Sequence, residues 1–333
     1  MQSAFVGVDL AIAKGKYLPV VVCTRESGRL IPKPLRRLSI IPPRGAGNAA
    51  ILHAESPQRF AREAAAYIRA VCAYIGVTPA RIAIDAPSAP RDPLTERRAA
   101  EKAMDMAGIS CFATPSALEF EAIRQKAHRH LARGGTEDRI PHANQLWMLA
   151  GFALFAELSH LAPCLEVFPQ AIARATGSGH LHKSRPGAVE AQLGAAARYT
   201  GWPAGDAAAP QLHDIAWGPS HDQLDAYLSA WVASLDETAR IAYGVPPDDV
   251  IWVPKTDAGE APSVDVVSVA RAPRPVAVAT ATVLCPACQA KAFKRWPWGW
   301  DAHAAHACAG LESTEPEARK AEFRRRFVAH FEN

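Results

Sequence analysis

Asp9 ends the run Phe5-Val6-Gly7-Val8-Asp9, Asp85 ends Ile82-Ala83-Ile84-Asp85, and Glu166 interrupts Leu165-Glu166-Val167-Phe168. Far downstream, Asp222 and Asp225 open a helical stretch. A carboxylate beside a buried strand is costly to desolvate unless it is paired, hydrogen-bonded or bound to a metal. Several well-separated ones suggest convergence on a shared cation; the alternative is that each caps a helix or pairs with an arginine in a structural network. The chemistry open to such a set is phosphodiester hydrolysis with two metal ions, one activating the attacking water and the other stabilising the leaving oxygen. An all-oxygen donor set suits Mg²⁺ or Mn²⁺.

A second constellation lies near the C-terminus. Cys285-Pro286-Ala287-Cys288 is a Cys-x₂-Cys knuckle, His303 follows after a zinc-finger-like interval, and Cys308 lies five residues further on. Those spacings suit a structural Zn²⁺ held by Cys285, Cys288, His303 and Cys308, with His306 as the rival fourth ligand. Phe293 and Trp300 stand where such a finger places its small apolar core. A unit this small needs the metal to fold. The chain has 7 cysteines, an odd number that argues for ligation by this cluster and against a disulfide framework. Lys291, Lys294, Arg295, Trp296 and Trp298 mix positive charge with aromatic rings, which suits backbone contact with base stacking; a structural cap or protein-docking module fits equally. A last helix over about 315–331 places Phe323, Phe327 and Phe331 on one face.

These residues need elements to position them. Residues 4–10, 17–23 and about 35–41 read as three strands, with Glu26-Ser27-Gly28 as a turn. Ser56-Pro57 then reads as a helix start, Phe60, Ala64, Ile68, Val71 and Ile75 as its apolar stripe, and Gly76 as its stop. A strand at 81–85 follows, then helices at 93–107, 116–131 and 144–159, a strand at 164–168, and helices near 169–176, 186–199 and 220–241. Ile251-Trp252-Val253 adds an edge strand. The expectation is an α/β fold, a mixed sheet with helices on both faces. The strands ending in Asp9 and Asp85 are joined through a helix, so they should run parallel with both carboxylates at the C-terminal edge, where open α/β sheets bind ligands. Asp225 shares its helix side with Leu228 and Val232, which turns it inward.

The composition bounds the rest. With 49% hydrophobic and 21% charged residues in 333, the chain suits one large globular domain and a small one. The domains are expected at 1–255 and 283–333, joined by an Ala/Val/Pro/Ser-rich linker over 256–282. A net charge of +4 is too small to mark a nucleic-acid binder by itself. No apolar stretch is long enough for a bilayer and no secretory signal precedes Phe5, so no membrane and a cytoplasmic location are expected. No Gly-x₄-Gly-Lys-Ser/Thr loop is present, which argues against a P-loop enzyme.

Gly7-Val8-Asp9, Ile84-Asp85-Ala86-Pro87, Glu166-Val167-Phe168-Pro169, Lys183, His221-Asp222-Gln223-Leu224-Asp225-Ala226 and Ile251-Trp252-Val253-Pro254 together resemble the domain-of-unknown-function family 429. That family is described as predicted nucleases with a ribonuclease H-like fold, and the resemblance covers roughly residues 4–254. It implies Asp9, Asp85, Asp222 and Asp225 as metal ligands and Glu166 as a further acidic candidate. Lys183 would neutralise a phosphate or orient the nucleophile, or is a surface lysine; His221 would shuttle a proton or is simply solvated. Arg97 and Arg98 would meet phosphates or only Glu96 and Glu101 nearby. The expectation is then a metal-dependent nuclease with a zinc-finger-like unit that aids binding of nucleic acid or of a protein partner. The alternative is a non-catalytic nucleic-acid- or protein-binding module, and a phosphoryl-transfer enzyme acting on a nucleotide is a third possibility.

Overall fold

The structure is a computed structural model that describes residues 1–179, 185–257, 283–285, 287–288, 292–293, 300–306 and 308–326. Lys183, most of the expected linker, the basic-aromatic group Lys291, Lys294, Arg295, Trp296 and Trp298, and Phe327 and Phe331 lie outside the described residues, as do the side chains of Phe293 and Trp300. The chain divides into two compact units, Met1–Ala261 and Pro262–Asn333.

The first unit begins with strands β1 (Gln2–Asp9), β2 (Val20–Glu26) and β3 (Arg29–Pro32), then a short helix α1 (Asn48–Ile51) and the long α2 (Glu55–Tyr74). Strand β4 (Val77–Asp85) leads to helices α3 (Ala99–Met106), α4 (Ala117–Ala132) and α5 (Ala143–Leu158). Strand β5 (Cys164–Glu166) precedes α6 (Pro169–Ala175), α7 (Ala188–Thr200), α8 (Pro210–His213) and α9 (Ser220–Ser234), and a hairpin of β6 (Arg240–Val245) and β7 (Asp249–Pro254) follows.

The five-stranded sheet has the order β3-β2-β1-β4-β5. Its first three strands are antiparallel, while β1–β4 and β4–β5 are parallel. Side-chain alternation sorts the two faces. Val6, Val8, Ile82 and Ile84 join one core with Phe60, Ala64, Ile68 and Val71 of α2, Phe120 and Ile123 of α4, and Leu146, Leu154 and Leu158 of α5. Val21, Cys23 and Ala83 face the other way, onto Leu224, Tyr227, Leu228 and Trp231 of α9 and Leu193 of α7. The protein is therefore a mixed sheet flanked by helices, as the element order implied. No described helix is long and apolar enough to cross a membrane.

The helix expected over 93–107 begins only at Ala99, after a turn in which Asp92 accepts the Leu94 N–H, and three further elements differ from expectation. The third strand is Arg29–Pro32, directly after the Ser27-Gly28 turn, where both residues have positive φ (50° and 81°). Residues 35–41 instead begin with a single 3₁₀ turn at Leu35–Arg37; Leu35 is buried and Leu38 and Ile40 pack on the core without pairing as a strand. The helix expected over 220–241 stops at Ser234, and the chain from Arg240 extends as β6 to pair with β7.

In the second unit, β8 (Val283–Leu284) pairs with β9 (Ala292–Phe293), followed by α10 (Trp300–His306) and α11 (Pro316–Arg326).

Candidate metal centres

Strand periodicity aims the first centre. With Val6 and Val8 turned to the α2 side, Phe5, Gly7 and Asp9 face α9; with Ile82 and Ile84 turned likewise, Ala83 and Asp85 face α9. The parallel register pairs Asp9 with Asp85. Gly7 then decides how close α9 can lie. A Cβ there would stand 1.9 Å from the Ala226 carbonyl oxygen and 2.3 Å from the Ala230 nitrogen. Only glycine admits the helix backbone at this distance, and the approach brings Asp225 over the strand ends. One carboxylate oxygen from each of Asp9, Asp85 and Asp225 lies within 4.8 Å of the others. Asp9 and Asp225 are 8% and 4% exposed, so water does little to screen them, while Asp85 is half-buried on the open side. These three oxygens could hold a metal ion.

The other acidic candidates do different things. Asp222, one turn before Asp225, is buried, with its Oδ1 3.0 Å from His221 Nε2. Glu166 stands apart from the trio. It takes two parallel bonds from Arg98, each 2.8 Å, and a third from the Ser88 backbone N–H at 2.9 Å. Burial pushes the Glu166 carboxyl up, opposed by Arg98 and by the Ser88 bond. Burial also works against the Arg98 charge, but the Glu166 bonds and the neighbouring Asp249 and Glu101 charges overcome it and raise the guanidinium above its ordinary value. Arg98 thus turns to protein carboxylates, and Arg97 likewise bonds Glu101, Asp105 and the Cys111 carbonyl. Through Ser88, Glu166 fixes the loop that follows Asp85.

Two residues around this centre gave no sequence signal of their role. Asp249 accepts Arg98 Nε at 3.0 Å and caps the start of α3 through the Ala99 and Ala100 N–H groups. Ser88 contributes only its backbone. Gly7 did carry a signal, a glycine inside a strand that marks close backbone approach. Beside Asp85 opens a cavity of about 60 Å³, walled by Glu166, Arg98, Thr114, Phe112 and Trp147.

The second centre is built from a short stretch of chain. Cys285, Cys288, His303 and Cys308 bring their ligand atoms within 4.8 Å of one another, and Cys308, not His306, completes the group. His306 is exposed on α10. The Cys285 and Cys308 sulfurs are 3.7 Å apart, and Cys288 Sγ is 3.4 Å from His303 Nε2. That sulfur separation is far beyond a disulfide bond. It matches the edge of about 3.8 Å expected for a tetrahedron with metal–sulfur bonds of about 2.3 Å. Gly310 lets the chain return over the knuckle, since a Cβ there would lie 2.2 Å from the Ala287 carbonyl oxygen. Without a metal, burial pushes the Cys308 thiol up to about 11, and the neighbouring Cys285 adds to it. From α11, Arg319 donates to the carbonyls of Ala304, Cys308 and Ser313, tying the two helices together.

No curated protein and no solved structure matches the chain. A family model described as "Protein of unknown function (DUF429)" matches residues 7–248, which include Asp9, Asp85, Glu166 and Asp225 and exclude the Cys/His centre. The family model covers well over half of the sequence, and the chain is a member of the DUF429 family.

Proposed function

We propose that the first unit is a metal-dependent nuclease that hydrolyses phosphodiester bonds of nucleic acid, on the ribonuclease H-like plan that the family resemblance implies. The observation that carries this is the meeting of Asp9, Asp85 and Asp225 from two parallel strands and a helix, with oxygens within 4.8 Å of each other at the sheet edge. Three carboxylates so close disfavour one another's charged forms, and a hard divalent cation relieves the repulsion. Mg²⁺ or Mn²⁺ bound as a pair would supply water activation and leaving-group stabilisation. Asp9, Asp85 and Asp225 would hold it, and Asp222 is the nearest further carboxylate along α9. The chain's own contribution is rigidity: strand ends and a tightly seated helix keep the oxygens in place, and Glu166 anchors the loop after Asp85 through Ser88. For the second unit, three thiols and one imidazole at tetrahedral spacing favour Zn²⁺ over harder ions. Its role there is structural, with the unit aiding substrate or partner binding.

Asp85→Asn tests the nuclease reading, because it deletes a ligand charge at nearly constant volume. The variant is expected to lose Mg²⁺- or Mn²⁺-dependent cleavage of DNA or RNA while keeping the wild-type melting temperature. Full activity in Asp85→Asn, or no cleavage by the wild type on any single- or double-stranded nucleic acid with either ion, overturns it.

A further inference from the structure

We infer that a single-stranded polynucleotide runs from the Asp85 cavity along a trough to the basic face of α4; its direction rests on the proposed nuclease reading. Three concavities of the first unit share walls in series. Thr114 borders both the cavity at Asp85 and a groove of about 320 Å³ under Arg91 and Pro115. Lys126 borders both that groove and the next, of about 420 Å³, lined by Arg129, His130 and Arg133.

The far end of the trough is cationic. Lys126, Arg129 and Arg133 are exposed and form no ion pair among the described residues. Spaced three and four apart, they share one side of α4 and its C-terminal end. From Lys126 to Arg133 the helix axis rises about 10 Å, about three phosphate steps of a stacked strand. In the middle groove Arg91 is neutralised by Glu119, and Glu96 is the other carboxylate lining it. The near end is aromatic. Phe112, 59% exposed, and the half-buried Trp147 flank the cavity beside Asp85. An exposed ring beside a carboxylate site has no packing role to explain it, but it offers a stacking platform for an unpaired base. Phosphates held by α4 with bases stacked at Phe112 is an arrangement for a single strand, because a duplex keeps its base faces covered.

The test is fluorescence anisotropy with the full chain and labelled oligothymidine and oligouridine, without added Mg²⁺ or Mn²⁺, across a salt series. The variant Lys126→Gln/Arg129→Gln/Arg133→Gln should fold normally, since glutamine is a good helix former at exposed positions. It is expected to bind on the order of tenfold more weakly, with the slope of log affinity against log salt reduced by about 2. Phe112→Ala should weaken binding by about tenfold without changing that slope. Equal affinity and slope in the triple variant overturn the trough even if the wild type cleaves nucleic acid. Reduced binding in both variants upholds it even if the wild type cleaves nothing. An equal loss of affinity for duplex of the same sequence overturns the assignment to single strands.

Discussion

The two candidate metal centres solve one geometric problem with opposite resources. The carboxylates at 9, 85 and 225 come from distant parts of the chain and are fixed by β1, β4 and α9, each packed into an extensive apolar core. The cysteines and histidine come from one stretch, Cys285 to Cys308, and among the described residues the buried apolar cluster around them is Cys285, Ala304, Cys308, Leu311 and Phe323, with Ala287 and Cys288 packed against it. Two of those five belong to the group that could hold the metal. Where apolar burial supplies the folding free energy, a site can be built complete and wait for its ion. Where it does not, the ion is part of the core and the site exists only with it.

The largest expected effect follows from the second case. Structural zinc contributes about 10–16 kcal/mol of apparent binding free energy in small metal-folded units. Chelation or Cys285→Ser should therefore release one zinc per chain and unfold residues 283–326, while the cooperative melting of residues 1–257 stays in place. Metal analysis with limited proteolysis reads both. A protease-resistant second unit after complete zinc removal would break the comparison, since the small core would then suffice alone.

The first centre predicts a smaller effect with a different signature. Gly7→Ala adds a methyl group where the Ala226 carbonyl and the Ala230 nitrogen already stand. Overpacking of this kind costs about 1–3 kcal/mol, sometimes more. Because α9 must shift, Mn²⁺ affinity at the carboxylates should fall along with the melting temperature, with the zinc content unchanged. Asp85→Asn should do the reverse, losing the ion and keeping the stability. A Gly7→Ala chain with wild-type melting and wild-type Mn²⁺ binding would mean that α9 is not seated as described.

What was legible in the sequence divides along the same line. The ligands of the second centre are local, so spacing alone named all four, and geometry had only to choose Cys308 over His306. For the first centre, the helix between the strands ending in Asp9 and Asp85 gave their parallel sense and so put both carboxylates at one edge of the sheet. Glu166 looked equivalent because it too is acidic in a strand, yet its partner Arg98 lies in a loop far upstream, and no local pattern encodes such a pairing. Its register opposite Ile84 places it one position short of the strand-end carboxylates. The run Leu38-Ser39-Ile40-Ile41 has strand-like composition, but it follows a 3₁₀ turn and continues as irregular chain, with Leu38 and Ile40 packed against the core and Ile41 exposed. The sequence Ser116-Ala117-Leu118-Glu119 carries a local capping signature that fixes the start of α4.

That capping box gives the smallest and sharpest test of the contrast. The Ser116 hydroxyl accepts the Glu119 N–H at 3.3 Å, and the Glu119 carboxylate accepts the Ser116 N–H at 2.6 Å and also bonds Arg91. In a unit held by its core, removing one such link should cost little: Ser116→Ala about 1 kcal/mol. The Ser116 N–H bond holds the Glu119 carboxyl below its ordinary value, partly offset by burial and aided by the Ser116 hydroxyl and Arg91. A carboxyl lowered in the folded state stabilises it above the unfolded value of about 4.3, and that contribution fades as pH falls below it. Glu119→Gln should therefore lower the melting temperature at pH 7 and converge on the wild type in acid, whereas Ser116→Ala keeps part of its deficit throughout. Thermal scans of the first-unit transition between pH 7 and pH 3 read this difference. A Glu119→Gln deficit that persists undiminished in acid would show that the carboxylate charge contributes nothing to the cap. A deficit as large as that of Gly7→Ala would show that the first unit leans on single polar links, as the second leans on its metal.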